Sequence, residues 1–288
     1  MPMSRAPIIF NRWRISAAAR KIPAADFIDA QYDSAEDIRP TDVLVLLSTP
    51  RCGSTMVCDL LRLNGGPVTH EYFAPFQNMP ILARRWNCLK GTDFDEPAYV
   101  RALSRFRTSD TGWLGLNLQG SHLRFYTKME AHFGAVRFHY VHLVRRDEIA
   151  QAVSFDIAMQ TGQWSSEFAA RASAKYSFPR LLRRLHAIQN QNALIESFLL
   201  FRGASYQRLT YEDFQADREQ GIRRFPCIPP EQDLVLAPTL RRQADDRSAI
   251  WKKRFTEDIL ADQSVYDVGL HSTARVRQTL KIPRIRVT

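Results

Sequence analysis

Short apolar runs alternate with longer amphipathic stretches through most of this chain. Val43 to Leu47 is an unbroken apolar run bounded by polar and turn-forming residues, the pattern of a buried strand. Pro50 and Gly53 then mark a tight turn. Met56, Val57, Leu60 and Leu61 recur at helical spacing, which predicts a helix starting near Ser54 or Thr55. Further strands are predicted over Gly112 to Leu118, Val136 to Val144 and Ser205 to Leu209. The third carries β-formers on both faces, as a strand buried in a parallel sheet does. Helices are predicted over Ile81 to Phe106 with a break at Gly91, over Leu123 to Phe133, and from a cap at Asp147 to about Gln160, with Gly162 past its end. Phe168 to Leu200 reads as helix broken near Pro179, and Thr210 begins another. Gly65 to Pro80 and Phe225 to Pro238 read as irregular. Strands alternating with helices give an α/β fold with a parallel sheet flanked by helices. Residues 1–41 read as an N-terminal extension, with Ser16 to Ala25 helical, and residues 42–288 as the main domain.

Charge changes the picture more than composition does. Lys and Arg number 40 against 30 Asp and Glu, a formal net charge of +10. That surplus suits nucleic acid, an anionic surface or an anionic small ligand. The basic residues are scattered in short clusters, and no zinc-finger spacing or RNP-type aromatic motif is present, so nucleic acid is set aside. Arg predominates, and its planar fork suits phosphate and sulfate. The four cysteines, Cys52, Cys58, Cys88 and Cys227, form no CxxC pair, and the seven histidines form no HExxH or HxH pattern. No metal is therefore expected. Few cysteines, no continuous apolar N-terminal segment and no window of membrane-spanning length lead to the expectation of a cytoplasmic protein without an integral membrane segment.

The candidate chemistry starts at the first strand–turn–helix, DVLVLLSTPRCGSTMVCDLLRLNGGPVTHEYF, from Asp42 to Phe73. A loop of small residues feeding a helix N-terminus is an anion site, because the first N–H groups and the helix dipole point at the ligand. Arg51, Ser54 and Thr55 add a cation and two hydroxyls there. The loop lacks GxxxxGK[ST] and GxGxxG, which argues against a nucleoside-triphosphate hydrolase and against a dinucleotide site.

Three separated blocks, PRCGSTMVCDLLR with HEYF, HLVRRDEIAQAVSFDIAMQTGQW, and RRQADDRSAIWKKRF, together resemble the bacterial trehalose 2-sulfotransferase family, which also takes in sequences assigned as lipopolysaccharide and nodulation-factor sulfotransferases. The resemblance implies a P-loop-like sulfotransferase fold. It implies 3′-phosphoadenosine 5′-phosphosulfate (PAPS) as sulfuryl donor, released as PAP, and a carbohydrate or glycolipid acceptor. It also implies a homodimer. It assigns Arg51, Cys52, Gly53, Ser54 and Thr55 to the phosphosulfate, with Arg51 also catalytic, and Arg145 and Ser154 to the 3′-phosphate. Arg146 is the rival of Arg145. Arg242 and Arg247 would close over the nucleotide, with Trp251 packed beneath them. Glu71 falls at the family's catalytic carboxylate, and His70 is the rival base, since imidazole titrates near neutrality. Asn117 stands where related sequences often carry Lys. Tyr211 is left as structural or adenine-adjacent. The competing classes are a nucleotide kinase-like enzyme, against which the missing P-loop Lys counts, and a non-catalytic basic protein that binds nucleotides or polyanions.

Overall fold

A computed structural model describes residues 28–164, 171–239 and 245–262. Among them, four parallel strands form one sheet: β1 (Asp42–Ser48), β4 (Trp113–Gln119), β5 (Arg137–Val144) and β6 (Tyr206–Thr210), in the order β4-β1-β5-β6. A small antiparallel hairpin, β2 (Leu89–Lys90) with β3 (Asp93–Phe94), lies outside it. The helices are α1 (Ser54–Leu63), α2 (Asn78–Arg85), α3 (Glu96–Arg107), α4 (Leu123–Met129), α5 (Glu148–Thr161), α6 (Phe178–Arg202), α7 (Tyr211–Ala216), α8 (Arg218–Arg223) and α9 (Asp246–Ala261).

β1 is central, and Val43 to Leu47 are wholly buried, which is why its sequence is apolar on both faces. Its alternate residues feed two cores. Val43, Val45 and Leu47 face α2, α3, α4 and the second half of α6. Leu44 and Leu46 face α1, α7 and α8. A third cluster joins Ala152 and Val153 of α5, Leu181 and Leu185 of α6, and Trp251 and Phe255 of α9. After β1 the chain adds β4 on one side, then crosses to place β5 on the other. That reversal opens a crevice at the carboxyl end of β1, where sheets of this kind bind ligands.

Local chemistry sets the boundaries. Asp147 caps α5 by accepting from the Ala150 N–H at 2.9 Å, and Gly162 ends it at φ 72°. Thr210 caps α7 through the Asp213 N–H. Three expectations need correction. α2 begins at Asn78, inside the stretch read as irregular, with Pro80 in its first turn. α6 begins at Phe178 with Pro179 in its first turn, so this proline starts the helix instead of breaking it, and residues 171–177 are not helical. The helix predicted over Leu123 to Phe133 stops at Met129 and continues as a 3₁₀ turn. The break at Gly91 is the tip of the β2–β3 hairpin.

Residues 28–41 are held on the helical layer. Arg85 donates to the Ile28 carbonyl and to Asp33. Arg107, with a fully buried side chain, pairs with Asp33 at 2.7 Å and donates to the Asp29 carbonyl at 3.2 Å. The expected helix at Ser16 to Ala25 lies outside the described residues.

Candidate active site at the carboxyl ends of the strands

The loop from Thr49 to Gly53 carries the chain from β1 into α1. Arg51 takes φ 65° and Gly53 φ 99°, two left-handed residues in a three-residue span. A non-glycine residue in that region is strained, and such strain clusters at functional sites. The loop is held from below by Gln151 of α5, a buried amide that donates to Thr49 Oγ1 at 2.8 Å and to the Pro50 carbonyl at 2.7 Å. It is held from the side by Tyr211, whose ring leaves no room for a Cβ on Gly53: Cδ2 would lie 2.4 Å away. Tyr211 is thus a structural clamp on the loop. The first intrahelical bonds of α1 run from the Met56 and Val57 N–H groups to the Gly53 carbonyl. The N–H groups before them lie at the positive end of the helix.

Arg51, Arg145 and Ser154 converge above this loop. Arg51 Nε donates to Ser154 Oγ at 3.0 Å, and its Nη1 donates to the Trp164 carbonyl. Arg145 Nη1 donates to the Arg51 carbonyl at 3.3 Å, and its guanidinium lies 5.1 Å from the centre of the Tyr211 ring. Burial, with the charge of Arg145 beside it, brings the Arg51 guanidinium down to about 10. Two cations held this close are a place where an anion relieves repulsion. Arg146 turns the other way. It pairs with Asp213 at 2.9 Å, and its backbone N–H goes to Glu212 at 3.0 Å.

Ser54 is buried and Thr55 exposed in the first turn of α1. Cys52 contributes backbone only: its side chain is wholly buried in the core, and burial pushes the thiol up. Arg247 sits in the first turn of α9 and pairs with Asp245 of the same turn at 3.1 Å. Trp251 is buried in the cluster between α5, α6 and α9, edge-on to Tyr176. Arg242 lies outside the described residues.

Glu71 and His70 follow α1 on a segment that runs beside β4. The His70 carbonyl accepts the Asn117 N–H at 2.9 Å. Asn117 is buried, and its side chain joins Ser48 Oγ at 2.9 Å to Ser54 Oγ at 3.3 Å. One strand residue therefore ties the HEYF segment to the anion loop. Glu71 Oε1 accepts from Gln119 Nε2 at 2.9 Å. His70 Nε2 lies 3.0 Å from Asn78 Nδ2, and the same Nδ2 donates to the Glu71 carbonyl at 3.1 Å. A carbonyl only accepts, so this amide end is NH₂, and His70 Nε2 is the acceptor of its second proton. Tyr72 and Phe73 are wholly buried, and Tyr99 fixes the segment by donating to the Tyr72 carbonyl at 2.7 Å.

Residues 43–258 of the 288, three quarters of the chain, match the family described as Stf0 sulphotransferase. This chain belongs to the Stf0 sulphotransferase family. It is a sulfotransferase. No curated protein matches it. A solved structure titled as the sulfotransferase domain of the Synechococcus PCC 7002 olefin synthase is 14% identical over 81% of this chain and 99% of that one, with a TM-score of 0.33, too low to carry any inference. Among the described residues no helix is long and apolar enough to cross a membrane, and no group of three His, Cys, Asp or Glu side chains could hold a metal ion.

Sequence reasoning missed Gln151, Gln119 and the Trp164 carbonyl as parts of this candidate site. Gln151 had a signal, since Asp147, Gln151 and Ser154 form a polar stripe at i, i+4 and i+7 on α5. Gln119 had a weaker one, as the second polar residue closing an apolar strand.

Proposed function

We propose that this sulfotransferase moves a sulfuryl group from PAPS to a hydroxyl of a carbohydrate or glycolipid and releases PAP. The observation that carries the proposal is the convergence of Arg51, Ser154 and Arg145 on a strained loop at a helix N-terminus, with Asn117 bonding both the first residue of that helix and the segment that carries Glu71. The chemistry of these groups fits the donor. Backbone N–H groups and Arg51 suit the 5′-phosphosulfate, and Arg145 with Ser154 suits the 3′-phosphate, which sets PAPS apart from other adenine nucleotides.

In this reading Glu71 accepts the proton of the acceptor hydroxyl as its oxygen attacks sulfur. The new O–S bond forms as the bond from sulfur to the bridging phosphate oxygen breaks, and PAP leaves with that electron pair. Arg51 and the N-terminus of α1 hold the negative charge that builds on the leaving phosphate. His70 is disfavoured as base because Asn78 already donates to its Nε2. A carbohydrate is favoured as acceptor because a carboxylate base suits a hydroxyl, and because the family is one for which sugar acceptors are implied.

The test is turnover of labelled PAPS against a panel of candidate glycans and glycolipids. Glu71→Gln lowers turnover by about two to four orders of magnitude while PAP affinity stays close to wild type. An enzyme that transfers nothing to any hydroxyl of the panel, or a Glu71→Gln variant at wild-type rate, refutes the proposal.

A further inference from the structure

We infer that Gln119 is the positioning residue for the Glu71 carboxylate, presenting a fixed N–H donor that orients the base and favours its ionised form. The inference rests on Glu71 being the base. Gln119 is the last residue of β4, opposite Ser48 of β1. Its side-chain oxygen accepts the His122 backbone N–H, and its own backbone N–H goes to His122 Nδ1 at 3.2 Å, so the two residues bond each other reciprocally. A primary amide has one accepting end and one donating end. With the oxygen committed to an N–H, the NH₂ end is the one that faces Glu71 Oε1, 2.9 Å away. The amide orientation is therefore dictated by neighbours that have a single hydrogen-bonding role.

The turn that carries this donor is itself locked. Gly120 lies so close to α6 that an added Cβ would meet the Gln191 carbonyl at 2.8 Å, and the Ser121 N–H donates to Gln191 Oε1 at 3.3 Å. His122 is buried, and burial with the nearness of His70 holds it neutral, down at about 3. Two residues earlier on β4, Asn117 bonds the His70 carbonyl and the two serines that flank the donor loop, Ser48 at the end of β1 and Ser54 at the start of α1. The end of β4 thus sets the acceptor side against the donor side. A carboxylate on an irregular segment takes its direction from a strand end, a more rigid support than its own loop. Titratable groups near the carboxylate include His70 next in the chain, Cys58 of α1, whose thiol burial and the Glu71 charge hold far above its usual range, and neutral His122 on the far side of Gln119.

The titration arm of the test needs no acceptor, and the turnover arm uses a glycan that the enzyme sulfates. Glutamate carboxyl carbons are labelled with ¹³C in the full chain, the Glu71 signal is assigned by its loss in Glu71→Gln, and its titration is followed by NMR. In Gln119→Leu the midpoint rises by about 1–2 pH units, the worth of one hydrogen bond to the charged form. In the isosteric Gln119→Glu it rises further, because two carboxylates then share the site. Turnover falls about 10- to 100-fold in Gln119→Leu, with PAP affinity unchanged. A Glu71 midpoint that stays put in both variants overturns the role of Gln119. A midpoint that moves while Glu71→Gln keeps wild-type turnover overturns the base reading, and with it any catalytic meaning for Gln119.

Discussion

Gly53→Ala is the sharpest probe of how the donor loop is built. Gly53 takes φ 99°, and a Cβ there would lie 2.4 Å from Cδ2 and 2.7 Å from Cε2 of Tyr211. Two separable penalties follow. The left-handed conformation costs a non-glycine residue about 1–2 kcal/mol. Forcing a methyl into a filled space costs about 1–3 kcal/mol more. The ring cannot retreat freely, since the Arg145 guanidinium lies over it and Gln215 donates to its hydroxyl at 3.1 Å. Gly53→Ala should therefore lower stability by about 2–5 kcal/mol, read as a shift in the urea midpoint at constant slope. A double-mutant cycle with Tyr211→Ala separates the terms. The steric part, about 1–3 kcal/mol, should appear as coupling energy, and the backbone part should persist. PAP affinity should fall as well, because displacing the ring moves Arg145. A Gly53→Ala protein within about 0.5 kcal/mol of wild type, with no coupling to Tyr211, would refute the clamp.

Two further expectations concern the two ends of β1. Arg51→Ala should reduce turnover by about 10²–10³ while weakening PAP binding much less, since PAP lacks the sulfuryl group; a collapse of PAP affinity with normal turnover at saturating PAPS would assign Arg51 to another group. Asp42 accepts from Arg137 at 2.8 and 2.7 Å, and the hydrogen bond from Arg137, then those from His139 and Thr41, hold its carboxyl far below the usual range. A depressed folded-state value gives stability that is present above the unfolded value of about 4 and lost as pH falls below it. Asp42→Asn should thus have a lower urea midpoint than wild type at pH 7, and the gap should close below about pH 4; a pH-independent gap would contradict the linkage.

The parts of the fold that could be read from sequence are those in which local pattern and tertiary burial agree. β1, its loop and α1 were legible because a strand buried on both faces is apolar throughout and because Gly53 must take a positive φ. The caps of α5 and α7 were legible because they are local: the Asp147 and Thr210 side chains accept N–H groups three residues on, and Gly162 takes a positive φ. Pro80 and Pro179 misled for one reason. A proline signals a missing N–H, and the same signal fits a break and the first turn of a helix, where the N–H has no partner anyway. Within the site, the sequence placed Arg51, Arg145 and Ser154 on three separate elements, and the structure brings them together. It left Arg145 and Arg146 open. Arg146 is engaged by Glu212 and Asp213, acids 66 and 67 residues away, a pairing that no local pattern reveals. The donor to Glu71 was illegible because it depends on which end of the Gln119 amide is free, and His122 decides that.

Under the proposed function, the paired arginines read the anionic groups of PAPS. Calorimetric titration of the full chain with PAP and with AMP tests it without an acceptor. One charge-assisted contact to the 3′-phosphate is worth about 1.5–3 kcal/mol. PAP should therefore bind about 10- to 150-fold more tightly than AMP. Arg145→Ala should erase most of that difference by weakening PAP and sparing AMP. Equal affinities for PAP and AMP in the wild-type protein, or a preference for PAP that survives Arg145→Ala intact, would contradict the account.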